Sequence, residues 1–222
     1  MHTAELTQCV VSIPADDVRL EGIFTAPDTF QGLVLFAHGS GSSRRSARNQ
    51  YVAHLLQDAG LATLLFDLLS DEEAAMDEYT RTKCFDIPLL AGRLLAAMDW
   101  ARALPNGEST AMGLFGASTG AAAALVAAAA RPGDVEAVVS RGGRPDLAED
   151  SLALVTAPTL LIVGSEDHHV LELNRWAQGQ MHAPCRLAVV PGAGHLFEEP
   201  GTLETAAHLA RDFFLDHLPT VP

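Results

Sequence analysis

A single serine between two glycines, in the run LFGASTGAA from Leu114 to Ala122, ends one of the apolar stretches of this chain. A serine hydroxyl attacks a carbonyl carbon only when a histidine takes its proton. The histidine in turn needs a carboxylate to hold its tautomer and to stabilise the imidazolium. Both partner types end later apolar stretches: Asp167 in Gly164-Ser165-Glu166-Asp167, and His195 in Pro191-Gly192-Ala193-Gly194-His195. Small residues around Ser118 permit a tight turn that lifts it from the surface. A helix starting at Thr119 would aim its N–H groups at a developing oxyanion. A second donor is expected from the loop His38-Gly39-Ser40, through the backbone N–H of Ser40. Each feature alone is common, since an aspartate at a strand end is usually a helix cap. Their order makes Ser118, Asp167 and His195 a candidate nucleophile, acid and base, with Ser40 and Thr119 as candidate oxyanion donors.

Such groups can meet only if the elements that carry them end side by side. The runs Gln8 to Ile13 and Val18 to Ala26 read as strands of a hairpin turning at Asp16-Asp17. Short apolar runs then alternate with helical patterns. Strands are expected at Leu33 to Ala37, Leu61 to Leu65, Thr110 to Phe115, Val135 to Ser140, Thr159 to Val163 and Arg186 to Val190. Helices are expected at Ala47 to Ala59, Ile87 to Ala103, Thr119 to Ala130, Val170 to Gln180 and Leu203 to His217. Runs of Val, Leu, Ile and Ala this short fit parallel strands covered on both faces. Strand–helix alternation gives a doubly wound α/β sheet with helices on both sides, whose sites lie at the carboxyl ends of the strands. The acidic loop Asp71 to Glu78 has no cation-binding pattern and reads as a solvated segment beside the pocket.

Composition bounds the function. The 222 residues suffice for a single domain spanning 1–222, and 48% hydrophobic against 19% charged residues is globular composition. A net charge of −14, from 14 basic and 28 acidic residues, argues against nucleic acid or an anionic membrane as partner. No apolar run is long enough for a membrane span. The N-terminal MHTAELTQCVVSIP has no basic region followed by an apolar core, so no leader is expected and a cytoplasmic location is the default. Cys9, Cys84 and Cys185 are odd in number and lack ligand spacing, so they read as free thiols. No metal and no cofactor are expected: His168 and His169 are adjacent and point apart, and no second ligand pair accompanies them.

The motifs FAHGSGSS, ATLLFDLL, FDIPLL, FGASTGAAAAL, SRGGRPDL, PTLLIVGSED and PGAGHLFEEP cover nearly the whole chain. In them the chain resembles the α/β-hydrolase superfamily, and within it the small dienelactone-hydrolase-like proteins. The resemblance implies a mostly parallel eight-stranded sheet with Ser118 as nucleophile, Asp167 as acid and His195 as base. It also implies hydrolysis of an ester or related acyl bond in a small-molecule substrate. Dienelactone hydrolase itself carries a Cys nucleophile in this elbow. The serine here points to serine esterase chemistry and does not carry the lactone substrate with it. Larger relatives insert a helical cap after the sixth strand; the short stretch from Ser140 to Thr159 leaves room for no large cap.

Five of the basic residues, Arg44, Arg45, Arg48, Arg141 and Arg144, fall in two short segments expected on the same rim. One reading makes them a patch for an anionic substrate, with Arg141 and Arg144 as the preferred contacts. The other pairs them with nearby acids such as Asp71 or Asp146. An acyltransferase using the same three residues, and a non-catalytic binding protein on the same scaffold, are the rival functions. Oligomeric state leaves no mark in the sequence.

Overall fold

The sheet that carries the candidate residues is explained by the alternation within its strands. In β3 (Gly32–Ala37), Leu33, Leu35 and Ala37 enter one apolar cluster while Val34 and Phe36 enter the other. In β5 (Ala111–Ala117), Met112 and Leu114 face the first cluster and Phe115 the second. A strand buried on both faces must have a helical layer on each side. This computed structural model describes residues 6–220. Met1 to Glu5, on which the expectation about a leader partly rests, lie outside the described residues.

The hairpin β1 (Leu6–Ala15) and β2 (Val18–Pro27) turns at Asp16, whose φ is 52°. It continues into β4 (Ala62–Phe66), β6 (Ala137–Arg141), β7 (Thr159–Gly164) and β8 (Cys185–Val190) in the eight-stranded order β1-β2-β4-β3-β5-β6-β7-β8. β2 pairs antiparallel with β1 and β4, and every other neighbouring pair is parallel. Helix α1 (Ala47–Asp58) packs on α7 (Thr202–His217) on one face. On the other face α3 (Ile87–Arg102) packs on α4 (Thr119–Ala130), beside α6 (His168–Gln180). The chain leaves β3 toward β4 on one side and returns as β5 on the other. The carboxyl ends of β3 and β5 therefore flank the point where strand order reverses, where open α/β sheets place their sites.

One expectation is corrected. Asp71–Thr80 is a helix, α2, where the acidic stretch Asp71 to Glu78 reads in the sequence as a solvated loop. Its only buried side chain is Asp77. The helix is instead set by its N-terminus, where Ser70 and Glu73 form a reciprocal capping box and three acids occupy the first turn. After β6 the chain makes one 3₁₀ turn (Pro145–Ala148) and a single helical turn, α5 (Glu149–Leu152), before β7; there is no large cap. Among the described residues no helix is long and apolar enough to cross a membrane.

Candidate active site

Ser118 stands between β5 and α4 with φ 51° and ψ −120°, a conformation that side chains other than glycine rarely take. Its neighbours make the turn possible. A Cβ at Gly116 would run into the backbone of Ala121, and one at Gly120 into the carbonyl oxygens of Ala37 and His38. The Ser118 N–H donates to the Arg141 carbonyl (3.3 Å), and its own carbonyl accepts from the Arg144 N–H (3.1 Å). The elbow is thereby tied to the segment that follows β6.

That same segment approaches His195. A Cβ at Gly142, whose φ is 53°, would lie 3.2 Å from the His195 carbonyl oxygen and 3.6 Å from its Nδ1. The His195 Nδ1 lies 2.6 Å from Asp167 Oδ2. Asp167 occupies the cap position of α6, yet its side chain makes no capping bond to the helix. With Nδ1–H donated to Asp167, the other ring nitrogen, Nε2, is left as an acceptor. The His195 side chain is 40% exposed and that of Asp167 13%, so the histidine reaches the surface while its carboxylate stays shielded. Asn174, fully buried on α6, donates from Nδ2 to the Gly143 carbonyl (3.0 Å) and holds the intervening segment from below.

On the opposite side of Ser118, a Cβ at Gly39 would sit 2.9 Å from the Ser118 Cβ, so the loop after β3 passes directly against the elbow. Among the described residues the N–H groups of Ser40 and Thr119 have no hydrogen-bond partner, as donors awaiting an anion would. The loop owes its shape to His38, and to Asp67 with Arg44, whose part spacing alone did not reveal. The His38 Nδ1–H donates to the Gly39 carbonyl (2.9 Å) and Nε2 accepts the Leu68 N–H (3.0 Å). Burial pushes this imidazole below its ordinary pKa, against the pull of Gly39 and Asp67, so it stays neutral. Asp67, just past β4, accepts the Arg44 N–H (2.6 Å) and pairs with its guanidinium, which also meets Glu21. The only signal available was position: Asp67 ends an apolar run.

The arginines separate. Arg144 is engaged with Asp146 through both Nε (2.8 Å) and Nη2 (2.7 Å). Arg141 is 7% exposed and lies over the Phe115 ring, with Nη2 donating to Asn49 Oδ1 (3.1 Å). Its buried Nη1 has no partner among the described residues, and burial, with Arg48 nearby, lowers its pKa to about 10. A cavity of about 930 Å³ opens beside Gly39, Ser40 and Thr119. Its wall includes Arg45, Arg48, Arg81 and the inner side of α2, but neither Arg141 nor Arg144. Ser118, which precedes Thr119 of that wall, does not itself line the cavity, and neither do Asp167 and His195.

Comparison with known proteins agrees with this architecture. Residues 23–218 match the model of the dienelactone hydrolase family. The crystal structure of a dienelactone hydrolase from Anabaena variabilis is 53% identical, with 96% of this chain and 99% of that one covered at a TM-score of 0.94. Est1E from Butyrivibrio proteoclasticus, 18% identical, shares the fold over 93% of this chain and 98% of its own, with a TM-score of 0.79. A Mycobacterium tuberculosis protein named putative phosphoribosyl transferase is 59% identical over 208 residues. That match takes 94% of this chain but only 46% of the relative, so the chain spans about half its length. By the family match and by its likeness to the Anabaena structure, the chain belongs to the dienelactone hydrolase family.

Proposed function

We propose that the chain is a serine hydrolase that cleaves a carboxylic ester, or the related acyl bond of a thioester or lactone, through an acyl-enzyme. The observation that carries this reading is the 2.6 Å contact of His195 Nδ1 with Asp167, which leaves Nε2 as the base. Ser118 Oγ attacks the acyl carbon as His195 Nε2 takes its proton, and the negative charge on the carbonyl oxygen is met by the N–H groups of Ser40 and Thr119. Collapse expels the alcohol, which takes the proton from His195. Water, deprotonated by the same nitrogen, then attacks the acyl-enzyme and releases the acid and free Ser118. Asp167 keeps the imidazole in the productive tautomer throughout. An anionic substrate would be met by Arg45, Arg48 or Arg81 in the cavity wall, because Arg144 is occupied by Asp146 and Arg141 is buried.

The transferase name of the mycobacterial relative belongs to a protein of which this chain covers 46%. Incubation with a fluorophosphonate probe and a panel of acyl esters tests the hydrolase reading. Wild type is expected to be labelled at Ser118. Ser118→Ala should lose labelling and at least about 10⁴-fold in kcat, the scale at which such nucleophiles act. An unlabelled wild type, or a variant that keeps its turnover, would overturn it. Adding alcohol or amine acceptors separates hydrolysis from acyl transfer by product.

A further inference from the structure

The loop between β8 and α7 carries His195, yet its backbone is of a kind that holds position poorly by itself. Gly192 (φ 71°), Phe197 (φ 56°) and Gly201 (φ 77°) all adopt left-handed conformations, and Gly194 lies among them. Catalytic geometry tolerates little of that freedom, since a group displaced by about 1 Å can lose about 100-fold in rate. The loop must therefore be tied from outside its own turns.

On the side of the acid the ties are visible. The Gly192 N–H donates to Ser165 Oγ (2.8 Å) and the Glu166 N–H to the Ala193 carbonyl (3.0 Å), which joins the His195 loop to the Asp167 loop. On the far side Phe197 is buried, and its ring edge lies against Gly142. Between these anchors one backbone bond, from the Phe197 N–H to the Gly194 carbonyl (3.3 Å), turns the segment, and one side chain closes it from Gly194 to Glu199. Glu199 Oε2 accepts the Gly194 N–H at 3.0 Å, and its Oε1 lies where a Gly194 Cβ would be only 2.9 Å away. The carboxylate thus closes a ring around His195 and presses flat on a residue with no side chain. The backbone of Glu199 is fixed in turn, because its carbonyl accepts from the Thr202 hydroxyl (2.7 Å) and N–H (3.1 Å) at the start of α7.

We propose that Glu199 is a positioning residue for His195: its carboxylate closes the 194–199 ring and holds the imidazole on line between Asp167 and Ser118. This rests on the hydrolase reading above. The Gly194 N–H, with those of Glu199 itself and Glu198, also holds the carboxyl below the usual range. The clamp therefore stays charged through the pH range in which imidazoles change state.

The test uses the full chain and an ester that the wild type turns over. Glu199→Ala should lower kcat and the fluorophosphonate labelling rate about 10-fold with KM within about twofold, the signature of a lost transition-state arrangement. Glu199→Gln keeps an oxygen for the Gly194 N–H and should recover most of that loss. Gly194→Ala puts a methyl group where the carboxylate lies and should reproduce the Glu199→Ala loss. The double variant should be no worse than either single one, because both break the same contact. Thermal unfolding of each variant reports whether the start of α7 is intact. Wild-type kcat in Glu199→Ala, additive losses in the double variant, or a kcat loss that merely follows a drop in Tm would each overturn the proposal. Loss of the Ser118→Ala effect would instead overturn the hydrolase reading on which it stands.

Discussion

At the scale of one residue, Ser118 concentrates the conflict between folding and function. Its φ of 51° with ψ of −120° costs a non-glycine residue about 1–3 kcal/mol. The surroundings impose it: β5 ends, α4 begins, and close contacts at Gly39, Gly116 and Gly120 leave no other path. Glycine would remove that strain at a cost of about 0.4–1 kcal/mol in unfolded-state entropy. Ser118→Gly should therefore be more stable than wild type by about 1 kcal/mol while losing turnover. Ser118→Ala, which keeps a Cβ, should not gain that stability. Paired urea-unfolding curves check this, and equal midpoints for the glycine variant and wild type would mean that the strain relieved is no larger than the entropy cost of the glycine.

At the scale of elements, α2 behaves differently from its neighbours because it contributes one buried side chain, Asp77. Desolvation pushes the Asp77 carboxyl up, but the nearby Cys84 side chain, the N–H groups of Lys83 and Cys84, and Thr80 outweigh it and hold it low. Glu73 is likewise opposed by desolvation and held low by the Ser70 N–H, Lys83 and Arg93. Both carboxyls are depressed in the folded state, so their stabilisation is present at neutral pH and is lost as pH falls through their folded values. Ser70→Ala removes the cap at a cost of about 1 kcal/mol, which a helix without apolar anchors cannot absorb elsewhere. Limited proteolysis should cut Asp71–Thr80 faster in that variant, with the global unfolding midpoint nearly unchanged. Unchanged cleavage would show that α2 is held by more than its cap and carboxylates.

The same helix shows where sequence reading stops. Strands such as Leu33 to Ala37 were legible because burial on both faces requires an unbroken apolar run, and β3 begins only one residue earlier, at Gly32. For α2 the periodicity signal was absent, and the remaining clue was the Ser70–Glu73 spacing of a capping box. At the site, the order of Ser118, Asp167 and His195 along the chain brought them under consideration, and the Asp167–His195 contact lies within that expectation. The fate of the arginines was half visible. Asp146 is two residues from Arg144, whereas the Arg141–Asn49 bond joins residues 92 positions apart, one on β6 and one on α1. Glu199 was invisible as a clamp, since nothing in a sequence distinguishes a carboxylate folded back on Gly194 from one in solvent.

For the whole molecule, charge is the dominant long-range term. Pairing each of the 14 basic residues with one carboxylate would still leave 14 of the 28 acids without a cation. Several pairs are exposed, such as Arg48–Glu198 and Arg211–Asp212, and pairs of that kind contribute about 0–1 kcal/mol each. Others are shielded: Arg44 is 9% exposed between Asp67 and Glu21, and Arg93 is 4% exposed against Glu73. Raising ionic strength to about 0.15 M shortens the screening length to about 8 Å, which weakens surface attraction and surface repulsion alike but reaches the shielded pairs least. The surplus of like charge then decides the sign. Tm at neutral pH should rise by a few degrees between about 0.01 M and about 0.15 M sodium chloride, since a change of about 1 kcal/mol moves a domain of this size by about 2–4 °C. A fall in Tm over that range would mean that the exposed pairs outweigh the repulsion among the surplus carboxylates. The stability of the sheet would then depend on its surface ion pairs more than its burial suggests.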